Sequence, residues 1–112
     1  MKDAPVGPAL SDIAHNLRLC MEFTQGLEFG VFQTKVETQY AVIRALEIVG
    51  EATKRLPDQF RAARPDIPWK SMAGMRDRLI HGYDDINLEM VFLTATQTVP
   101  TLLKSIEGLA VE

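Results

Sequence analysis

The sequence predicts an all-α fold, a four-helix up-and-down bundle with a short extra helical segment, and three observations carry that expectation. Apolar residues recur at helical spacing along most of the chain. The β-branched residues fall at that same spacing, so nothing reads as a strand. Prolines and glycines stand where such helices would have to stop. A length of 112 residues suits one domain over residues 1–112, and a chain of this size buries roughly two thirds of its unfolded surface.

The first helix is expected to follow Pro8, with Ser11 as its N-cap and Ile13, Leu17, Cys20 or Met21, and Leu27 on its inner side. Gly26 and Gly30 then loosen the chain. The second helix runs from about Phe32 or Thr34 to Leu56, its apolar stripe formed by Val42, Ala45, Leu46, Val49, Ala52 and Leu56, and Pro57 ends it. "PDQFRAARPDIPW" is a connector with one short helical turn. The third helix starts near Pro68 or Trp69, proline being welcome in a first turn. It lines the core with Met72, Met75 and Leu79 and stops at Gly82 as its C′ residue. Asn87 caps a fourth helix carrying Leu88, Val91, Phe92 and Ala95, and Pro100 should kink or break it before "TLLKSIEGL".

Composition narrows the function classes. A hydrophobic share of 46% with 24% charged residues describes a soluble globular protein. No stretch reaches the length of apolar residues that crosses a bilayer, and "MKDAPVGPAL" lacks the apolar run of a signal peptide. Cys20 is the single cysteine, so no intramolecular disulfide can form and the residue reads as a small buried apolar group. The expected location is the cytoplasm. A net charge of −3 argues against a general nucleic-acid binder. The charge is unevenly spread, however: residues 54–78 hold seven basic groups against three acidic ones. Such a segment is either a phosphate footprint or a solvated face.

The stretch "GMRDRLIHGYDD", residues 74–85, concentrates polar chemistry. On a helix advancing about 100° per residue, Asp77 and His81 are four apart and neighbours, and the carboxylate would orient the imidazole and favour its charged form. Arg76 and His81 are five apart, about 140° around the axis. They diverge on a straight helix and converge only if the helix frays or a second copy of the motif lies opposite. The residues alone also fit a capped helix end, with Arg and His meeting the negative pole of the dipole.

"RDRLIHGY" resembles the R-x-x-x-x-H-x-Y motif of HEPN-domain ribonucleases, in particular the HepT-like toxin family. "TQYAVIRALEIVGEATKRLP" is similar to that family's second long helix, with its G-E-A signature at Gly50, Glu51 and Ala52, and "PDIPW" resembles the loop before its third helix. The blocks stand in the family's order and cover most of residues 11–107. Two positions depart from the pattern: Gly82 stands where an acidic residue is frequent, and Asp84 where an aromatic one is usual. The resemblance implies a HEPN-type bundle and a metal-independent ribonuclease with no cofactor. It also implies a homodimer whose composite cleft holds Arg76 and His81 from both copies. Its further implication is an MntA-type nucleotidyltransferase antitoxin that adds AMP to Tyr83.

The residues fit that chemistry. Cleavage without a metal uses the RNA 2′-hydroxyl as nucleophile, which needs a base, an acid and a cation for the phosphorane. His81 suits the proton transfers, an imidazole having a pKa near about 6.5. The fork of Arg76 matches two phosphate oxygens, and Asp77 would hold His81. Arg78, Lys70 and the basic segment would guide RNA. His15, on another helix, reads as a surface histidine. Tyr83, a phenol with a reference pKa near about 10, is no general acid at neutral pH. Glu51 either pairs with Arg76 from the second helix or is a solvated helical residue. The competing reading is a non-catalytic HEPN dimer that binds nucleotide or docks a nucleotidyltransferase.

Overall fold

Helix α1 (Val6–Thr24) opens the fold in the computed structural model, which describes residues 6–82 and 85–109 and, at 80–82, the backbone alone. It already includes Val6, five residues before Ser11, so Ser11 is an exposed helical residue and not the cap. Pro8 lies in the first described turn, a position that tolerates proline, and the helix runs through it. Leu10, Ile13, Ala14, Leu17 and Cys20 are buried along its inner face, and α1 packs mainly on α3 (Val36–Arg55) and on α8 (Val99–Leu109). Gly26, at φ 75°, lets the chain leave α1 in a left-handed conformation that a side chain disfavours.

A single turn, α2 (Phe29–Phe32), bridges α1 and α3. Buried Phe32 and half-buried Phe29 stack on Phe92, with centroids 5.1 and 5.7 Å away. The buried Gln39 amide donates to the carbonyls of Phe32 and Gln33 at 2.9 and 3.0 Å, satisfying the end of α2 from the first turns of α3. Helix α3 follows the expected stripe, with Val42, Leu46, Val49 and Ala52 fully buried. It stops at Leu56, whose φ −69°, ψ 135° is the extended geometry that Pro57 imposes on the residue before it. The connector holds the expected short helix, α4 (Asp58–Ala62). Within it Arg64 covers the Phe60 ring at 4.0 Å, and the Trp69 indole donates to the Arg64 carbonyl at 3.0 Å.

The third helix departs from expectation. It begins at Trp69 as predicted, but it consists of two five-residue pieces, α5 (Trp69–Ala73) and α6 (Met75–Leu79), separated at Gly74 (φ −95°, ψ 12°). It ends at Leu79, three residues before Gly82. Ile80–Gly82 (β1) and Asp85–Ile86 (β2) pair as a minimal antiparallel ribbon, where the sequence pattern showed no strand. The Asn87 N–H donates to the Leu79 carbonyl at 3.1 Å and closes the base of the ribbon. The hairpin therefore satisfies backbone groups that a longer helix would have paired internally.

Asn87 caps α7 (Leu88–Leu93) as expected, its side-chain oxygen accepting from the Met90 N–H at 3.0 Å. Pro100 does not break the helix that follows. A π-helical turn (Thr94–Thr98) precedes α8, and the Val99 N–H bonds the Thr94 carbonyl five residues back. The widened turn changes the partner pattern just where proline lacks a donor, and the Thr96 hydroxyl occupies the Phe92 carbonyl at 2.8 Å. The described residues are thus mostly helical, as expected, but the third expected helix is broken and the fourth passes through a π turn. No described helix is long and apolar enough to cross a membrane.

Cys20 is fully buried, and desolvation pushes its thiol up to about 12 from 9.0. The folded state thus holds the proton that the unfolded state releases. The resulting stability is intact below about pH 9 and is lost as pH rises through 9 to 12, by up to about 1.4 kcal/mol per pH unit. In urea unfolding, the stability gap between wild type and Cys20→Ala should narrow across that window. A constant gap would contradict the burial argument.

Candidate active site

Gly50 sets the geometry of the polar end. A Cβ at this position would lie 3.2 Å from the Ala73 carbonyl oxygen and 3.3 Å from that of Met72. The absence of a side chain therefore brings α3 against the end of α5. Three residues further along the chain, Arg76 reaches Glu47, which lies three residues back along α3. The broken third helix therefore crosses α3 in the opposite direction, and Arg76 stands level with Glu47.

The Arg76 guanidinium lies between two carboxylates. Its Nε is 3.4 Å from Glu47 Oε2, and one terminal nitrogen is 3.3 Å from Asp77 Oδ1. The other oxygen of Glu47 accepts from Arg44 at 3.3 Å. Glu47 is the least exposed of the group, with side-chain exposure of 24% against 52% for Arg76 and 62% for Arg44. The pairs are open to solvent and are weak as stabilising contacts. Their consequence is the placement of the Arg76 fork.

Of the two alternatives for Glu51, the structure fits the solvated helical residue: its carboxylate lies 4.0 Å from Arg44, at the outer limit of an ion pair, and is mostly exposed. The opposed directions of α3 and α5–α6 put Arg76 one helical turn away from it, at Glu47. Glu47 and Arg44 went unread in the sequence, although Arg44, Glu47 and Glu51 form a charged stripe at positions i, i+3 and i+7 of one helix. One expectation is corrected: Asp77 and His81 do not share a helical face. Asp77 belongs to α6 and contacts Arg76, whereas His81 belongs to β1.

The ribbon register singles out His81. Ile80 pairs with Ile86 and Gly82 with Asp85, so His81 is the extra residue of a β-bulge. A bulge redirects the chain locally and leaves its residue outside the ladder. The His81 side chain and all of Tyr83 and Asp84 lie outside the described residues. Lys70 and Arg78 are exposed on α5 and α6, with Arg78 donating to the Ser71 carbonyl at 3.4 Å. His15 is exposed on α1.

A cavity of about 550 Å³ opens between α1, α4 and α8, lined in part by Leu10, Arg18, Phe60, Arg64 and Leu109. None of Lys70, Arg76, Asp77 and Arg78 lines it, so the described part of the candidate site is surface and not this pocket. Among the described residues no three of His, Cys, Asp and Glu stand close enough to share a metal ion.

The described bundle holds a half-exposed guanidinium between carboxylates, and a histidine stands five residues on in the ribbon; an arginine and a histidine are group types that phosphodiester chemistry can use. Comparison with known proteins gives the particular family. The model of the family described as "Ribonuclease HepT-like" matches residues 13–109, and the chain belongs to that family. It is similar to the "Probable ribonuclease HepT" of Thermococcus cleftensis, 44% identical over 89% of this chain and 91% of the relative. It is also similar to two RNase candidates of Methanocaldococcus jannaschii. MJ0127 is 44% identical over 88% of this chain and 81% of its own length, and MJ1380 is 36% identical over 96% and 98%. No solved structure matches.

Proposed function

We propose that this chain is a metal-independent endoribonuclease, the toxin of a toxin–antitoxin pair, acting as a homodimer with Arg76 and His81 in a composite cleft. The observations that support the reading are a carboxylate-held, half-exposed Arg76 and a register shift at His81, five residues further along a chain of the HepT-like ribonuclease family.

In this reading Arg76 binds the scissile phosphate through N–H groups left free by Glu47 and Asp77. One histidine takes the proton of the RNA 2′-hydroxyl. The 2′-oxygen attacks phosphorus, and the 5′-oxygen leaves with a proton from a second acid. The products are a 2′,3′-cyclic phosphate and a 5′-hydroxyl. Arg76 offsets the charge that gathers on the phosphorane. One copy carries one histidine in the motif, so the second proton-transfer group comes from the two-fold partner. Exposed Val31, Val36, Tyr40, Met90 and Leu93 supply apolar surface for a second copy on α2, α3 and α7, elements in mutual contact. Lys70 and Arg78 guide the strand, and Asp77 acts first on Arg76 in the free chain.

A nucleotidyltransferase antitoxin would add AMP to the hydroxyl of Tyr83, and the new phosphate would compete for the Arg76 pocket. Two measurements test these statements. The purified protein should cut RNA in EDTA, and protein co-expressed with the neighbouring open reading frame should gain a nucleotide mass at Tyr83 and lose cleavage. An unmodified Tyr83 in protein silenced by that partner would overturn the AMP mechanism. A protein that binds nucleotidyltransferase but never cuts RNA would instead be the docking module.

A further inference from the structure

We infer that Glu47 is a positioning residue for Arg76, an inference that rests on the ribonuclease reading and deepens it. Glu47 and Arg76 come from different elements, 29 positions apart, so the contact exists only in the folded bundle. Helical spacing explains the bond from Arg44 to Glu47, and adjacency in the chain explains that from Arg76 to Asp77. Neither explains this one.

The donor count shows what the contact does. A guanidinium has five N–H donors in a rigid plane. Nε is engaged by Glu47 and one hydrogen of a terminal nitrogen by Asp77. Three donors remain, and among the described residues the second terminal nitrogen has no partner. Two carboxylates at two different nitrogens of the plane fix its direction and leave the remaining donors for phosphate oxygens. Glu47 can do this because it is anchored: its second oxygen is held by Arg44, and it is less exposed than either arginine. Asp77 is 71% exposed and is the chain neighbour of Arg76 on the same helical turn, so it moves with Arg76 and cannot fix the direction alone.

Glu47 touches no reacting atom in this scheme. Its removal should leave phosphate charge compensation possible but badly aimed. Misplacement on the scale of an ångström costs up to about 10²-fold in rate.

The test is a double-mutant cycle on RNA cleavage with kcat and KM separated and thermal unfolding measured in parallel. Glu47→Ala should lower kcat by roughly 10- to 100-fold, with a smaller change in KM and little change in Tm. Glu47→Gln, whose amide oxygen still accepts from Nε, should recover most of the rate. In an Arg76→Ala background, Glu47→Ala should add no further loss. Equal, independent losses in both backgrounds would overturn the positioning role, as would a Glu47→Ala enzyme with wild-type kcat. Failure of the ribonuclease reading is distinguishable, because then the wild-type protein itself cuts nothing and no cycle can be measured.

Discussion

Replacing His81 by alanine should reduce RNA cleavage in EDTA by about 10²- to 10⁴-fold, the usual contribution of a positioned general acid or base. The fold should survive. His81 is the bulged residue of β1, and the ladder pairs around it are Ile80 with Ile86 and Gly82 with Asp85. The ribbon is further closed by the backbone bond from Asn87 to Leu79 at 3.1 Å. None of these contacts uses the imidazole. Tm and the far-ultraviolet spectrum should therefore match the wild type while the rate collapses. The measurement is single-turnover cleavage of a labelled RNA, with EDTA present so that no contaminating metal nuclease is read. Undiminished cleavage by His81→Ala would remove the histidine from the mechanism and with it the proposed reaction.

The same stretch shows how far the sequence could be read. The helical bundle was legible because period and punctuation act locally: Pro57 forces Leu56 out of the helical region, and Asn87 offers an oxygen to Met90. Arg76 and His81 stood out as candidates only through the three blocks that resemble the HepT-like family, since the two residues alone fit a capped helix end as well. Their geometry was not legible. Whether the chain stays helical from Leu79 to Gly82 depends on a backbone bond to Asn87 and on pairing with Asp85 and Ile86. Those are interactions with residues beyond the window in which helical spacing is judged. Pro100 is similar: a proline predicts a local break, yet a π turn one step upstream absorbs its missing donor. Glu47 was illegible because it matters only once α3 and α5–α6 are known to run in opposite directions. Charge pattern on α3 alone offered Glu47 and Glu51 equally.

Gly50→Leu should lower both stability and activity. An added Cβ already lies 3.2 and 3.3 Å from the carbonyl oxygens of Ala73 and Met72. Those are backbone atoms, so no rotamer change relieves the contact and α5 itself must move. A leucine adds three more carbons in a direction where α3 is buried. Overpacking of this kind costs typically about 1–3 kcal/mol, set against about 1 kcal/mol regained by replacing glycine within a helix. The net loss should lower Tm by several degrees, on a scale of roughly 4–8 °C per kcal/mol for a domain near this size. Gly108 provides the control. It lies in α8 with nothing within 4 Å of an added Cβ, so Gly108→Ala should keep or raise Tm by the propensity term alone. The activity effect separates packing from mere destabilisation. Moving α5 shifts Arg76 off the level of Glu47, so Gly50→Leu should cut RNA slowly even well below its own Tm. Glu47→Ala should then cost little in that background, since the contact it removes is already lost. A Gly50→Leu protein with wild-type Tm and rate would show that the close approach of α3 to α5 does not place the site.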